Sequence, residues 1–392
     1  MKQFGRYAHG RRSGFTGRVH GRAVVIAANT SWNLVNFRGN IIVALIDRGF
    51  RVVAIAPRDA YSERLERMGV EFHALDFRSS AISPPRDAWL FLRYFGLLRA
   101  IRPAAFLSFT IKPNIYGSLA ARLLGIPAIN NVSGLGTAFI KQGLITRVAT
   151  NLYRQAFRRS TTVFFQNDED RAHFVAARIV DVARTRLLPG SGVDLERFTP
   201  VPEIEGLPAG RPCVFLLIAR LLWDKGAQEY VDAARIVKRQ YPAARFQILG
   251  FADVDNRTAV PRATLDRWIS DGLVEHLGAA DDVRPYIAAA DCVVLPSYRE
   301  GLPRSLLEAS AMARPIVATD VPGTRDVVED GLTGLLCTVR SAESLATAII
   351  AVIEMPAQER RAMGQAGRAK VEREFGVSVV TQSYIEAIER AI

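Results

Sequence analysis

Cysteine is scarce in this 392-residue chain: Cys213, Cys292 and Cys337 are the only three. They are widely spaced and stand in or beside apolar runs. That points to reduced core thiols and excludes a disulfide framework or a cysteine-based metal module. Long hydrophobic runs are also missing. None approaches the ~20 residues needed to span a bilayer. No apolar h-region follows the basic start before Gly21, so no signal peptide is expected and the chain is expected to stay in the cytoplasm. Residues 1–22 contain no acid, but carry Lys2, Arg6, Arg11, Arg12, Arg18 and Arg22 among several glycines. Such a stretch has too little apolar surface to order itself. It reads as a flexible basic arm, either resting on anionic lipid or idle. Zinc-finger spacings, RNP-like aromatic strands and AT-hook-like repeats are absent, which sets nucleic acid aside as a partner.

What is present is globular: 49% of residues are hydrophobic and 23% charged. The length suits two domains, each able to bury a full core. Charge is unevenly divided. Residues 1–195 hold 28 Lys+Arg against 12 Asp+Glu, and the remainder 23 against 27, for an overall +12. A basic first half implies an anionic partner, either a membrane surface or a diphosphate-linked acceptor.

The stretch from Asp291 to Thr319 organises the second half. The apolar run Cys292 to Leu295 is cut by Pro296, a polar turn carries Ser297, Glu300, Gly301 and Leu302, and Pro303 stands where a helix begins. Strand, loop and helix follow in order. Glu300 and Glu308 then lie at one helix mouth, where two carboxylates can accept the hydroxyl protons of a ribose and a hexose. Free N–H groups near Pro303, Arg304 and Ser305 favour phosphate. Sugar plus phosphate describes a nucleotide-sugar; alternatively Glu300 caps the helix and Glu308 is a solvated helix residue. A preceding strand, Cys213 to Ala219, ends at Arg220 and Lys225, two cations suited to a leaving nucleoside diphosphate.

The first half alternates short β-branched strands with helices: Ala23–Ala28, a helix over 33–47, Arg51–Ala56, a helix over 60–68, and Val70–Leu75. That pattern predicts a parallel, doubly wound sheet, in which ligands gather at the carboxyl ends of strands. The turn holding Asn29, Ser31 and Trp32 is a candidate wall of the cleft. A strand over 104–109 leads to Thr110, Lys112 and Asn114 at another strand-to-helix mouth, with Pro113 at the first helical turn. Lys112 is a candidate phosphate cation or a surface lysine. Residues 87–102, rich in Trp, Phe, Tyr and Arg, suit an interfacial helix or an ordinary packing helix. The segment 137–160 has five basic residues and no acid, and is the leading membrane-contact candidate, or else a domain helix with a basic outer face.

Pro189-Gly190-Ser191-Gly192 is the clearest linker, and a domain boundary belongs there. The expected organisation is a basic arm over 1–22, a first domain over 23–189, a second over 190–376, and a last helix, 377–392, returning to the first domain. Asp253-Val254-Asp255 forms a D-x-D pattern, too short a match to assign a metal. Residues 273–278 read as strand and turn, with Leu277 placed to offer backbone to a base.

E-G-L-P-R-S-L-L-E (300–308) resembles the signature of retaining glycosyltransferases of family 4. I-A-R-L-L-W-D-K-G (218–226), L-P-G-S-G-V-D-L-E-R-F (188–198) and V-P-G-T-R-D-V-V-E-D-G-L-T-G-L-L (321–336) resemble further segments of that family in the expected order. The resemblance implies an α/β fold of the GT-B type, two Rossmann-like domains facing a cleft. It implies Arg220, Lys225 and Glu300 as catalytic groups, and adds Leu277, Ser297, Gly301, Leu302, Pro303 and Glu308 to the donor site. The first domain is similar to the branch that extends undecaprenyl-diphosphate-linked saccharides. Asn29, Ser31, Trp32, Lys112, Asn114 and Gly134 are then the acceptor-side candidates, although the family's Gly-Gly turn is Ser31-Trp32 here and its donor-contacting histidine near residues 133–136 is absent. The implied activity is metal-independent, retaining transfer of a hexose or N-acetylhexosamine from a UDP-sugar, with no cofactor. The acceptor is a lipid-linked saccharide at the inner face of the membrane, and other enzymes of the glycan pathway are possible partners. A nucleotide-sugar epimerase of the same fold and a non-catalytic nucleotide-sugar-binding scaffold are the competing readings.

Overall fold

The central strands form where the sequence concentrates Val, Ile, Leu and Phe, and most of their residues are buried, whereas the edge strands Glu71–Ala74, Thr185–Leu187, Glu275–His276 and Leu335–Cys337 are largely not. The computed structural model describes residues 21–77, 83–134, 144–200, 212–252, 256 and 258–392. The arm over 1–20, the D-x-D pattern and the first part of the 137–160 segment lie outside the described residues.

Seven strands make the first sheet: β1 (Ala23–Ala27), β2 (Arg51–Ala56), β3 (Glu71–Ala74), β4 (Ala105–Ser108), β5 (Ala128–Val132), β6 (Thr162–Phe165) and β7 (Thr185–Leu187). Their order is β3-β2-β1-β4-β5-β6-β7, with parallel pairing from β3 through β5. The second sheet holds β8 (Val214–Ile218), β9 (Arg245–Leu249), β10 (Glu275–His276), β11 (Cys292–Leu295), β12 (Ile316–Thr319) and β13 (Leu335–Cys337). Its order is β10-β9-β8-β11-β12-β13, parallel throughout. Parallel strands need covered faces, and helices follow most of the strands. In both sheets the strand order reverses next to the first strand, between β1 and β4 and between β8 and β11. In an open parallel sheet a ligand crevice opens at that point, outside the carboxyl ends.

Compactness divides the chain into one unit of Met1–Asn131, Ala149–Val163 and Tyr384–Ile392, and another of Val132–Val148 and Phe164–Ser383. The division falls inside β6 and does not coincide with Gly190. The last helix, Val377–Ala391, places Tyr384, Ile385 and Ile388 in the interior.

Local chemistry sets the helix boundaries. The helix Ser31–Asp47 starts two residues earlier than its periodicity suggests, because extended Thr30 accepts the Asn33 N–H at 3.0 Å. The helix over 87–102 in fact spans Pro84–Ile101. Two prolines open it, and Arg102 closes it with φ 50°. Asp87, Leu90, Tyr94 and Leu98 face inward, while Trp89 and Leu92 stay exposed. The helix before β11 spans Arg284–Ala289.

Candidate functional site

The second sheet's reversal point sets the site. β8 ends at Ile218 and releases the chain into Arg220 and the short turn Trp223–Lys225; β11 ends at Leu295 and releases it into Pro296–Gly301. β8 and β11 are neighbours in register, Cys292 beside Phe215 and Val293 beside Leu216, so the two loops emerge side by side.

Gly226 draws them together. It has φ 72°, and a Cβ there would lie 2.0 Å from the Pro296 carbonyl oxygen, so only a residue without a side chain permits the approach. The Tyr298 N–H donates to Asp224 O at 2.9 Å. The Tyr298 hydroxyl donates to Glu229 Oε1 at 2.7 Å. Thr258 Oγ1 donates to Asp224 Oδ2 at 3.0 Å. Arg340 lies over the Tyr298 ring, 4.6 Å from its centre. Burial, aided by the bond to Glu229, raises the Tyr298 phenol to about 12, so it stays a donor.

Held this way, Lys225 Nζ donates to Glu300 Oε1 at 2.5 Å, both side chains being mostly buried. Arg220 is exposed and has no charged partner among the described residues. Beyond Glu300 comes the helix Arg304–Ala311, which has buried Pro303 at its N-cap and no side-chain cap. Its first amides are therefore open to an anion. Glu308 lies one turn in, buried, and accepts from Arg304 Nε at 2.7 Å. Burial pushes the Glu308 carboxyl up, and the Arg304 guanidinium opposes that rise. Ser297 is fully buried; its hydroxyl has no protein partner, while its carbonyl accepts from Thr319. Leu302 is buried in the core. Gly301 is as tightly constrained as Gly226: a Cβ would lie 2.2 Å from Ser133 O, in the same compact unit, beside Gly134. The Leu277 N–H is committed to Ile248 O at 2.9 Å and cannot serve a base.

The loops after β8 and β11 thus bring Lys225 and Glu300 into contact, with Ser297, Gly301 and Pro303 on the Glu300 loop, Glu308 one turn into the uncapped helix that follows, and Arg220 on the β8 loop. The side-chain roles of Arg304 and Tyr298 and the close approach at Gly226 were not foreseen. The i, i+4 spacing of Arg304 and Glu308 is the signal that would have found the first of them.

The acceptor-side expectations fare differently. Ser31 is fully buried, its hydroxyl donating to Pro57 O at 3.0 Å and lying 2.9 Å from Ser62 Oγ, so it is part of the packing and not of a cleft wall. Asn114 is buried too. It accepts from Ser108 Oγ at 2.7 Å and donates to Asn131 O at 2.8 Å. Asn130 extends this network to Ser118 and Ser160. Lys112 is neither a free phosphate cation nor a surface lysine: it forms a buried pair with Asp87 at 2.7 Å. Asn29 and Trp32 remain partly exposed at the end of β1, and the Trp32 N–H donates to Asp59 Oδ2 at 3.1 Å.

Comparison with known proteins gives the fold and the site a context. A family model described as "Glycosyl transferase 4-like domain" matches residues 36–190, and one described as "Glycosyl transferases group 1" matches residues 212–355. A Campylobacter jejuni protein named N,N'-diacetylbacillosaminyl-diphospho-undecaprenol alpha-1,3-N-acetylgalactosaminyltransferase is 28% identical over 378 residues, 92% of this chain and 96% of that protein. An Escherichia coli protein named UDP-Gal:alpha-D-GlcNAc-diphosphoundecaprenol alpha-1,3-galactosyltransferase is 27% identical over 253 residues, 62% of this chain and 64% of its own length. Among solved structures, Anabaena HepE in complex with UDP-glucose superposes with a TM-score of 0.77 at 20% identity, covering 94% of this chain and all of that one. With one model on each half and that fold throughout, the chain belongs to the family 4 glycosyltransferases of GT-B architecture.

Proposed function

We propose that the chain transfers a hexose or N-acetylhexosamine from a UDP-sugar to a hydroxyl of a polyprenyl-diphosphate-linked saccharide, with retention at the anomeric carbon and without a metal. The observation that carries this reading is the pairing of Lys225 with Glu300 beside the uncapped Arg304–Ala311 helix. In this reading Lys225 is the cation, Glu300 the sugar-binding carboxylate, and the first helix amides the phosphate site.

The bond from the anomeric carbon to the diphosphate oxygen breaks, and negative charge grows on the departing nucleoside diphosphate. Arg220, Lys225 and the helix amides stabilise that charge, which electrostatic catalysis rewards most where the donors are already oriented. These groups supply the positive charge that a metal would otherwise bring. The acceptor oxygen bonds to the same face, and its proton passes to a leaving phosphate oxygen. Glu300 accepts from hexose hydroxyls and Glu308 from ribose hydroxyls, neither acting as a nucleophile. The names of the Campylobacter and Escherichia relatives support the lipid-linked acceptor. Exposed Trp89 and Leu92, together with exposed Arg86, Arg93 and Arg99 on one helix, support docking at an anionic membrane surface.

Release of nucleoside diphosphate from a panel of UDP-, GDP- and ADP-sugars, with EDTA and with or without bacterial lipid-linked oligosaccharide, tests the reading. Lipid-dependent UDP release that is lost in Glu300→Gln supports it. Turnover that ignores the lipid, or that stops with EDTA, overturns it.

A further inference from the structure

Arg304 and Glu308 are the first and fifth residues of one helix, so their side chains share a face. The guanidinium retains 23% exposure and the carboxylate 9%, with 2.7 Å between Nε and Oε1. A carboxylate this buried is expensive to ionise unless a cation is bonded to it. The surrounding charges leave that task to Arg304. Arg197 acts on Glu308 from a distance and is countered by Asp282, 4.0 Å from Arg197 and itself paired with Arg284 at 2.7 Å. The helix Ala357–Glu374 packs against the Arg304 helix, and its Arg368 and Lys370 are committed elsewhere. Arg368 donates to Phe198 O and Ala311 O and pairs with Glu372, and Lys370 pairs with Glu329.

The state of Glu308 decides what it can recognise. Ionised, it offers two acceptor oxygens to the two hydroxyls of a ribose. Protonated, one oxygen becomes a donor and the match to a vicinal diol is lost.

We propose that Arg304 is a positioning residue that holds Glu308 as a two-acceptor carboxylate, so that ribose recognition depends on a side chain that contacts no part of the sugar. The proposal rests on the donor-site reading above. It predicts a specific pattern of pH dependence. Without Arg304 the carboxyl stays protonated to higher pH, so ribose recognition is lost at neutral pH and returns as pH rises.

The experiment is calorimetric binding of UDP and of 2′,3′-dideoxy-UDP to the full chain across pH 6 to 9. The wild type prefers UDP by ~10-fold or more, the range expected of hydrogen bonds to a charged group. Arg304→Leu loses the preference at pH 7 and recovers it toward pH 9. Arg304→Lys retains it throughout, and Glu308→Gln lacks it at every pH. Arg304→Gln, which keeps the stem without the charge, should behave as the leucine variant does and replaces it if that variant fails to fold. Arg304→Leu or Arg304→Gln keeping the preference at all pH values overturns the proposal. So does either one weakening both nucleotides equally and independently of pH, which marks a direct phosphate contact. A wild type with no preference for UDP at any pH overturns instead the placement of ribose at Glu308.

Discussion

Gly226→Ala is the most exacting test of how the site is assembled. A side chain at φ 72° costs about 1–2 kcal/mol in backbone strain. The added Cβ would also stand 2.0 Å from Pro296 O and 2.7 Å from its carbonyl carbon, both rigid main-chain atoms. Relieving that overlap separates the two loops by about 1 Å and adds about 1–3 kcal/mol of overpacking cost. The total, roughly 2–5 kcal/mol, lowers the melting temperature by on the order of 10 °C. Because Lys225 and Glu300 stand on the two loops being pushed apart, the turnover number should fall by about 100-fold. Thermal melting and initial rates of nucleoside diphosphate release measure the two effects separately. A variant with wild-type melting and wild-type rate would refute the claim that the close approach at Gly226 builds the site.

Arg220→Ala should lower the turnover number by about 100-fold or more while leaving melting unchanged, since Arg220 is exposed and pairs with no carboxylate among the described residues; steady-state rates and a melting curve decide it. Lys112→Met leaves the buried Asp87 carboxylate bonded to the Ser83 N–H and the Tyr116 hydroxyl but without its cation, and should cost about 1–3 kcal/mol by urea denaturation. The double change with Asp87→Leu should recover most of that loss. Replacing Trp89 and Leu92 by glutamate should reduce co-sedimentation with phosphatidylglycerol vesicles without changing the affinity for UDP, because both side chains are exposed and lie outside the donor site.

Much of the architecture was legible because its strands are short β-branched runs bounded by breakers. β2 and β11 begin and end where those runs do. β5 escaped notice because its sequence, Ala-Ile-Asn-Asn-Val, puts two buried asparagines in mid-strand. Those amides are tolerated because Ser108, Ser118 and Ser160 meet Asn130, up to 30 residues away, and the Tyr384 hydroxyl meets Asn131 across 253 residues. β7 is three residues long with two of them exposed, too polar to read as a strand. The donor side was legible for a related reason: a glutamate pair and two cations carry chemistry in their types and order. The acceptor side was less so. Whether Ser31, Lys112 or Asn114 faces a ligand depends on packing partners such as Ser62, Asp87 and Asn131, which spacing along the chain does not reveal.

The Asn131 Nδ2 atom donates to the Tyr384 hydroxyl at 2.8 Å across a sequence separation of 253 residues, and the Tyr384 ring lies 5.7 Å from that of Phe109. The unit that begins the chain therefore finishes its interior with residues made near the other end. During synthesis its sheet has to wait, with the seat for Tyr384 and Ile388 uncovered, while more than two hundred further residues leave the ribosome. The amino-terminal unit is thus sealed by a segment that the chain supplies only after residues 164–383.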